Sequence, residues 1–283
     1  MICVFSLEAQ LLMTERIQPY DPGRWPDRNS YLMYLRHLVV YEFAESMASN
    51  LRVLDLGCGV GYGSAVLIKR AKQVVSLDID WRSLLTSPHL KHSANRLTAD
   101  SVHLPFTTHS FDLVVSFQVI EHIQADLEYL YEIKRILKPQ GRFIVSTPNR
   151  LLRLFPFQPP FNPYHVREYT SRSLKKVLTQ LFSNVEVLGL KSTAEIMNLE
   201  KKRLRQNPLR VYLEVIADSV LPNSLAYNLK RLYQRRSRQI LNKREDADAL
   251  STSWEARYST KDYWIDSTEI AKSLDLIGLC QKH

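Results

Sequence analysis

From residue 31 to residue 47 apolar side chains recur three or four positions apart (Leu32, Leu35, Leu38, Val39, Phe43), which is the repeat of one helix face. Asn29 or Ser30 stands where a side-chain oxygen can cap its start. The pattern then shortens. Arg52-Val53-Leu54-Asp55-Leu56 is an apolar run ending in glycines, Gln73-Val74-Val75-Ser76-Leu77-Asp78 is a second, 95–100 is a weaker third, 111–117 a fourth and 142–146 a fifth. These runs have strand length, and most are rich in β-branched residues. A helix over 64–71 separates the first two. The stretch 127–138 puts Leu127, Leu130, Ile133 and Leu137 on one face before Pro139-Gln140-Gly141 stops it. Strands alternating with helices predict an α/β fold, a parallel sheet with helices on both faces. Beyond Asn149 the pattern lapses, and five of the 13 prolines fall between 148 and 163, the mark of a stiff irregular loop. A helix over 171–182 and a strand over 185–190 resume the alternation, and 274–281 is the last strand candidate.

Length and charge divide this pattern further. A chain of 283 residues holds one sizeable α/β domain with an appendage. The expected organisation is an N-terminal segment and helix (1–50), a ligand-binding core (51–192), a basic helical insertion (193–250) and a closing segment of the core (251–283). Between 201 and 244 twelve Lys and Arg face two acids, Glu214 and Asp218, whereas the whole chain carries only +9, so the body is near neutral. Within that stretch Leu229, Leu232, Tyr233, Ile240 and Leu241 share a helical face, while Lys230, Arg231, Arg235, Arg238 and Lys243 cover the others. Such a helix suits an anionic membrane surface, an acidic glycan or a nucleic acid, or it packs on the body with a solvated charged face. No zinc finger or RNA-recognition aromatic signature is present, which weighs against nucleic acid. No apolar run approaches the roughly 18 residues of a membrane span. The apolar first dozen residues lack a basic start and a cleavage site, and Met13 is a second candidate start. Three cysteines without framework spacing point to a reducing, cytoplasmic compartment, with peripheral membrane contact through 201–244 as an option.

Four of the eight glycines are Gly57, Gly59, Gly61 and Gly63, directly after the first strand and before a helix. Glycines there let backbone bend sharply and approach a ligand closely. The dinucleotide spacing G-x-G-x-x-G fails in each register, because Tyr62 or Ser64 occupies the last position. Asp55, two residues before the first glycine, suits a cationic group better than a pyrophosphate. Asp78 ends the second strand, where a carboxylate can accept both ribose hydroxyls, and Asp100 ends the third, where it can accept an exocyclic amine. A sulfonium ligand carrying an amino acid, a ribose and an adenine gives each of these three charges a partner.

Val53-Leu54-Asp55-Leu56-Gly57-Cys58-Gly59-Val60-Gly61-Tyr62-Gly63 resembles motif I of the class I S-adenosylmethionine-dependent methyltransferases, of the type 11-like kind. Asp100-Ser101-Val102-His103-Leu104-Pro105-Phe106, followed by Ser110-Phe111-Asp112-Leu113-Val114-Val115, resembles that family's adenine loop and fourth strand. Leu137-Lys138-Pro139-Gln140-Gly141 is similar to its turn into the fifth strand, with Gln140 where glycine is usual. The resemblance implies a Rossmann-like sheet of seven strands, mostly parallel with an antiparallel last strand, and a helical insertion between the last two. It also implies S-adenosyl-L-methionine as cofactor, held by Asp55, Gly57, Cys58, Gly59, Asp78, Ile79, Asp100, Ser101 and Gln118.

For the acceptor side, Val119-Ile120-Glu121-His122-Ile123 follows the fourth strand at the lip of that pocket. His122 titrates near neutrality, which makes it the first candidate general base, with Glu121 either orienting it or turning away. The second candidate is His165, in Asn162-Pro163-Tyr164-His165-Val166-Arg167-Glu168-Tyr169, a segment dense in hydrogen-bonding groups that Ser146-Thr147-Pro148-Asn149-Arg150 leads into. This pairing is similar to a bacterial subgroup associated with glycans and O-antigens, and more distantly to quinone-biosynthesis O-methyltransferases. His37-Leu38-Val39-Val40-Tyr41-Glu42-Phe43-Ala44 is similar to the same subgroup, with Val40 where arginine is common. The expected reaction is O-methylation of a glycan, a glycolipid or a small metabolite, the acceptor being soluble or lipid-linked, with an anionic one suited to the basic insertion. A quinone or lipid acceptor, or a binding module without turnover, are the alternatives. No metal is expected, because adjacent helical residues such as Glu121 and His122 point apart and no Cys/His cluster has zinc spacing.

Overall fold

The computed structural model describes residues 25, 27–90, 95–154, 158, 160, 162, 164–205 and 254–283. The amphipathic basic segment anticipated within 201–244 lies, beyond Arg205, outside the described residues.

Helix α1 (Arg28–Ser46) starts one turn earlier than its apolar repeat indicates. Its cap is neither Asn29 nor Ser30 but Asp27, whose carboxylate accepts from the Ser30 amide at 2.8 Å and the Ser30 hydroxyl at 2.7 Å. A carboxylate ahead of the helix satisfies amides that residues already inside the first turn cannot reach. Strand β1 (Arg52–Leu56) leads through the glycines into α2 (Tyr62–Leu67), β2 (Gln73–Asp78), α3 (Trp81–Thr86) and β3 (Arg96–Thr98). Then come β4 (Phe111–Phe117), a 3-10 turn (Ile120–His122), α4 (Asp126–Ile136), β5 (Leu137–Pro148) and the short α5 (Arg150–Arg153). The chain continues through α6 (Ser171–Leu178), β6 (Ser183–Ser192), α7 (Ala194–Arg205), α8 (Trp254–Arg257), β7 (Tyr263–Asp266) and β8 (Asp275–Gln281).

The sheet runs β3-β2-β1-β4-β5-β8-β6-β7. The first five of these strands are parallel, and β8 inserts antiparallel between β5 and β6. The sheet therefore has eight strands rather than seven. The additional one, β7, adds antiparallel to the outer edge of β6 and is too short and too exposed to show an alternating pattern. Side chains alternate across the sheet as the pleat requires. Leu54 and Leu56 of β1 pack with Tyr129, Leu130 and Ile133 of α4, whereas Val53 packs with Leu35, Val39 and Ala44 of α1. Asp55 shares the parity of Val53, so it faces α1.

Gln140, where glycine was the expectation, takes a left-handed backbone with φ 62°. At the far side of the sheet, Asp275 at the head of β8 is held by buried Arg36 of α1 through contacts of 2.6 Å and 3.1 Å. Arg36 also reaches Glu200 of α7 at 3.2 Å. Helix α7 follows β6 at the end where β1 meets its glycines, since β6 runs in the same direction as β1. Among the described residues no helix is long and apolar enough to cross a membrane.

Candidate active site

The glycine loop is built on a left-handed backbone that glycine adopts without a Cβ penalty. Gly57, Gly59 and Gly61 have φ of 80°, 54° and 76°, the left-handed region that is costly for residues with a Cβ. A Cβ on Gly57 would stand 2.3 Å from Val119 Cγ2, whereas one on Gly59 would meet nothing within 4 Å. The first glycine thus seats the loop against the segment after β4, and the second leaves bare backbone facing open space. Asp78 closes the loop: one carboxylate oxygen accepts from the Gly59 amide at 2.7 Å and the other from the Asp80 amide at 2.9 Å. Ile79 beside it is about half exposed. Asp100 is exposed, two residues past Thr98, which lies opposite Asp78 in the sheet, and it folds its own turn by accepting from the Val102 amide. Ser101 next to it is buried. Gln118 ends β4 with φ 57°, strain of the kind that gathers at functional positions. Its amide donates to the Ser146 carbonyl at 2.9 Å.

Two expected pocket residues have different roles from those anticipated. The Cys58 side chain is buried against Leu84 and Leu90, and burial holds its thiol well above the usual range, so only its backbone faces the loop. Asp55 is fully buried and already held by two hydroxyls, Tyr41 at 3.0 Å and Ser64 at 2.6 Å. Burial raises its pKa to about 7, against the opposing pull of those two hydrogen bonds. Sequence reasoning missed Tyr41 as its partner, although Tyr41 lies in the helix segment that carries part of the resemblance. Val40, one position earlier, is a core residue, and Arg36, one turn before it in the same helix, is committed to Asp275.

The two acceptor-side candidates form one cluster. The Val166 amide donates to the Glu121 carbonyl at 2.8 Å, and His122 Nδ1 lies 3.0 Å from the Tyr164 carbonyl. The rings of His122 and His165 meet edge to face with centroids 4.8 Å apart. His165 is buried, with Nδ1 at 3.0 Å from Glu168 Oε1, and Arg153 Nε is 3.3 Å from the same oxygen. Glu121 is fully buried. Its Oε2 accepts from Thr147 at 3.0 Å, and its Oε1 has no hydrogen-bond partner among the described residues. Desolvation raises its pKa to about 8, opposed by hydrogen bonds including that from Thr147. The argument that Glu121 and His122 cannot share a ligand does not hold here. They lie in a 3-10 turn rather than an α-helix, and His165 closes on them from another segment. One donor atom from each of the three lies within 4.8 Å of the others.

Residues 54–145 match the methyltransferase domain family. A "probable S-adenosylmethionine-dependent methyltransferase" of Mycolicibacterium smegmatis is 34% identical over 173 residues, covering 60% of this chain and 66% of that protein. A protein of the same description from Mycobacterium tuberculosis is 34% identical over 158 residues, 56% of this chain and 58% of its own length. The chain thus spans less than two thirds of the length of these relatives. A ubiquinone biosynthesis O-methyltransferase of Roseobacter denitrificans is 32% identical over 130 residues, 42% of this chain and 52% of that protein. Among solved structures, a Thermotoga maritima S-adenosylmethionine-dependent methyltransferase described as a "possible histamine N-methyltransferase" superposes with TM-score 0.53 at 13% identity. It covers 90% of this chain and 96% of its own. The shared fold is the Rossmann-like methyltransferase fold.

Proposed function

We propose that this chain, whose residues 54–145 match the methyltransferase domain family, is a class I S-adenosylmethionine-dependent methyltransferase that methylates a hydroxyl of a glycan, a glycolipid or a small metabolite. The observation that supports this reading most is adjacency. Val119, which touches the glycine loop at Gly57, is two residues from Glu121 and three from His122, the start of the polar cluster.

The pocket fits the cofactor. Gly59 offers bare backbone beside open space, Asp78 stands at the end of β2 for ribose hydroxyls, Ile79 is exposed beside it, and Asp100 is exposed for the adenine amine. Asp55 acts one step back, setting Tyr41 and Ser64 under the loop. Bound there, S-adenosylmethionine supplies an electrophilic methyl on a sulfonium. The chain positions the acceptor and takes its proton. The Tyr164 carbonyl can only accept, so His122 Nδ1 carries hydrogen and its Nε2 carries the lone pair able to receive that proton. A placed base contributes roughly 10²–10⁴-fold.

A quinone or other lipid acceptor is the second reading. It is favoured by the likeness to the Roseobacter protein and by the charge of residues 201–244, with twelve basic residues against two acids. Each basic residue near an anionic surface contributes about 1 kcal/mol.

Calorimetry with S-adenosylmethionine and S-adenosylhomocysteine tests the cofactor. Asp78→Ala should weaken both by about 1.5–3 kcal/mol, through loss of a charged hydrogen bond and of the loop's closure. Heat with NAD and none with either adenosyl ligand would overturn the reading. Transfer of labelled methyl into glycan or lipid fractions separates the two acceptor classes. Equal flotation with neutral and anionic vesicles would remove the membrane version.

A further inference from the structure

We propose that Glu168 is the positioning residue of the acceptor-side base, and that it makes His165, rather than His122, the group that takes the acceptor's proton. The inference rests on the hydroxyl-methylation reading above for the acceptor, but not for the pair itself.

His165 and Glu168 stand three residues apart in the segment that closes on the turn after β4. Nδ1 of His165 lies 3.0 Å from Glu168 Oε1, and the Glu168 side chain is fully buried. Arg153 Nε is 3.3 Å from the same oxygen, a cation placed against a carboxylate in the charged form that can only accept. Nδ1 therefore carries the ring hydrogen, and Nε2 keeps the lone pair. Nε2 has no hydrogen-bond partner among the described residues, and the side chain keeps 5% of its surface open.

An ion pair that only braces the fold would look different. Arginine and carboxylate in such a pair usually meet through two parallel hydrogen bonds. Here Arg153 Nε and Glu168 Oε2 are both buried, and neither makes a hydrogen bond among the described residues. The hydrogen bond that the Glu168 carboxylate does accept comes from the imidazole. Arg153 thus balances the charge, while the carboxylate is aimed at His165.

The two imidazoles differ in what stands behind them. His122 Nδ1 has the Tyr164 backbone carbonyl at 3.0 Å, an uncharged dipole. His165 has a full negative charge in a buried setting, where it offsets the positive charge of an imidazolium far more strongly. A buried carboxylate behind an imidazole fixes its tautomer and stabilises its protonated form. The His122 ring packs edge to face on His165 with centroids 4.8 Å apart and walls it on that side.

Backbone contacts hold the pair in place. The Val166 amide donates to the Glu121 carbonyl at 2.8 Å, and the Arg150 amide to the Tyr169 carbonyl at 2.9 Å. Arg153 ends the short helix that Asn149 caps, and Asn149 Nδ2 donates to the Ser273 carbonyl at 2.9 Å. The pair is therefore tied to the ends of β4 and β5. In the transfer step the hydroxyl proton passes to Nε2 as an oxygen lone pair forms the O–CH3 bond. The C–S electrons return to sulfur, which leaves a neutral thioether, and the imidazolium then gives its proton to water.

The test uses the full chain with nitrogen-15-labelled histidine. Long-range proton–nitrogen spectra identify the His165 signal by its loss in His165→Gln. The expected result is hydrogen on Nδ1 and a bare Nε2 in the parent, with both tautomers present in Glu168→Ala. Labelled methyl transfer from S-adenosylmethionine is then measured into total glycan and lipid extracts. Glu168→Gln should lower the transfer rate at saturating S-adenosylmethionine about 10–100-fold, the effect of losing a charged hydrogen bond. The KM for S-adenosylmethionine should stay as in the parent, and Glu168→Asp should recover part of the rate. Hydrogen on Nε2 of the parental His165 overturns the assignment with or without an acceptor, as does an unchanged rate in Glu168→Gln. S-adenosylhomocysteine affinity is measured by calorimetry alongside. Its absence with the expected tautomer would overturn the methyltransferase reading alone, and normal affinity with the opposite tautomer would overturn the pair alone.

Discussion

Two carboxyl groups sit on neighbouring strands, Asp55 in β1 and Glu121 just past β4, and both are fully buried with pKa raised by desolvation. Asp55 has a hydroxyl donor on each oxygen, from Tyr41 and Ser64. Glu121 accepts from the Thr147 hydroxyl at Oε2, and its Oε1 has no hydrogen-bond partner among the described residues. The first group is completed within its own hydrophobic layer and serves as scaffold for the glycine loop. The second keeps one oxygen without a hydrogen-bond partner among the described residues. Burial alone does not distinguish the two acids, whereas the count of satisfied oxygens does.

The most damaging change should be Gly63→Ala, which places a methyl 2.0 Å from the Tyr41 ring. Overpacking costs about 1–3 kcal/mol, and displacing Tyr41 also strips a donor from Asp55. Urea unfolding should show the loss, and unchanged stability would mean that Tyr41 is not fixed. Thr147→Val should come next. It removes the hydroxyl donor to Glu121 Oε2, at about 1–3 kcal/mol if nothing replaces it. Urea unfolding should show that loss, and an unchanged midpoint would mean that another donor takes its place.

The pH dependence of Asp55 is a subtler probe. Its folded value of about 7 lies above the ordinary 3.8, so between these values the folded chain holds a proton that the unfolded chain releases. The stability tied to that proton is fully present below the lower value and is lost as pH rises through the upper one. The slope is at most about 1.4 kcal/mol per pH unit. Asp55→Asn should therefore unfold with a flatter pH profile than the parent across that window, and parallel profiles would show Asp55 to be ionised throughout.

The smallest effects concern two glutamines with the same strained backbone, Gln118 at φ 57° and Gln140 at φ 62°. Changing either to glycine should stabilise the fold by about 1 kcal/mol, by relieving left-handed strain. Gln118→Gly should also lower turnover, whereas Gln140→Gly, far from the glycine loop, should not. Equal turnover in both would remove Gln118 from the site.

The glycine-loop side was legible because it is local. A strand, four glycines and the acids at Asp78 and Asp100 lie in chain order, and their spacing carries the geometry. The five parallel strands were legible for the same reason, as short runs of Val, Leu and Ile. The acceptor side was legible only as fragments. His122 and His165 stood out singly and read as rivals, because nothing in either segment encodes the bonds from Val166 and Arg167 to Glu121. Thr147 and Glu168 were visible without a role, since a role there depends on contacts across 26 residues for the first and on Arg153 for the second. Asp55 was assigned to the ligand because its spacing from Gly57 is visible in the sequence and the Tyr41 hydroxyl pointing at it is not. Strand β7 escaped because it is a four-residue edge strand, with only Tyr263 buried, too short to show an alternating face.

Strand β8 has a consequence for how this protein is made. It is the last of the eight strands to leave the ribosome, yet it occupies the sheet between β5 and β6 and is clamped by Arg36 from α1. Until it arrives, two apolar strand edges stand open in the nascent chain. From Ser192 to Asp275 that wait lasts roughly 4–17 s, at a synthesis rate of about 5–20 residues per second. Much of the interval is spent translating the basic stretch 201–244, whose like charges repel neighbouring copies while the gap is unfilled. A segment read above for what it binds in the finished protein would then also keep the unfinished one from pairing with its neighbours.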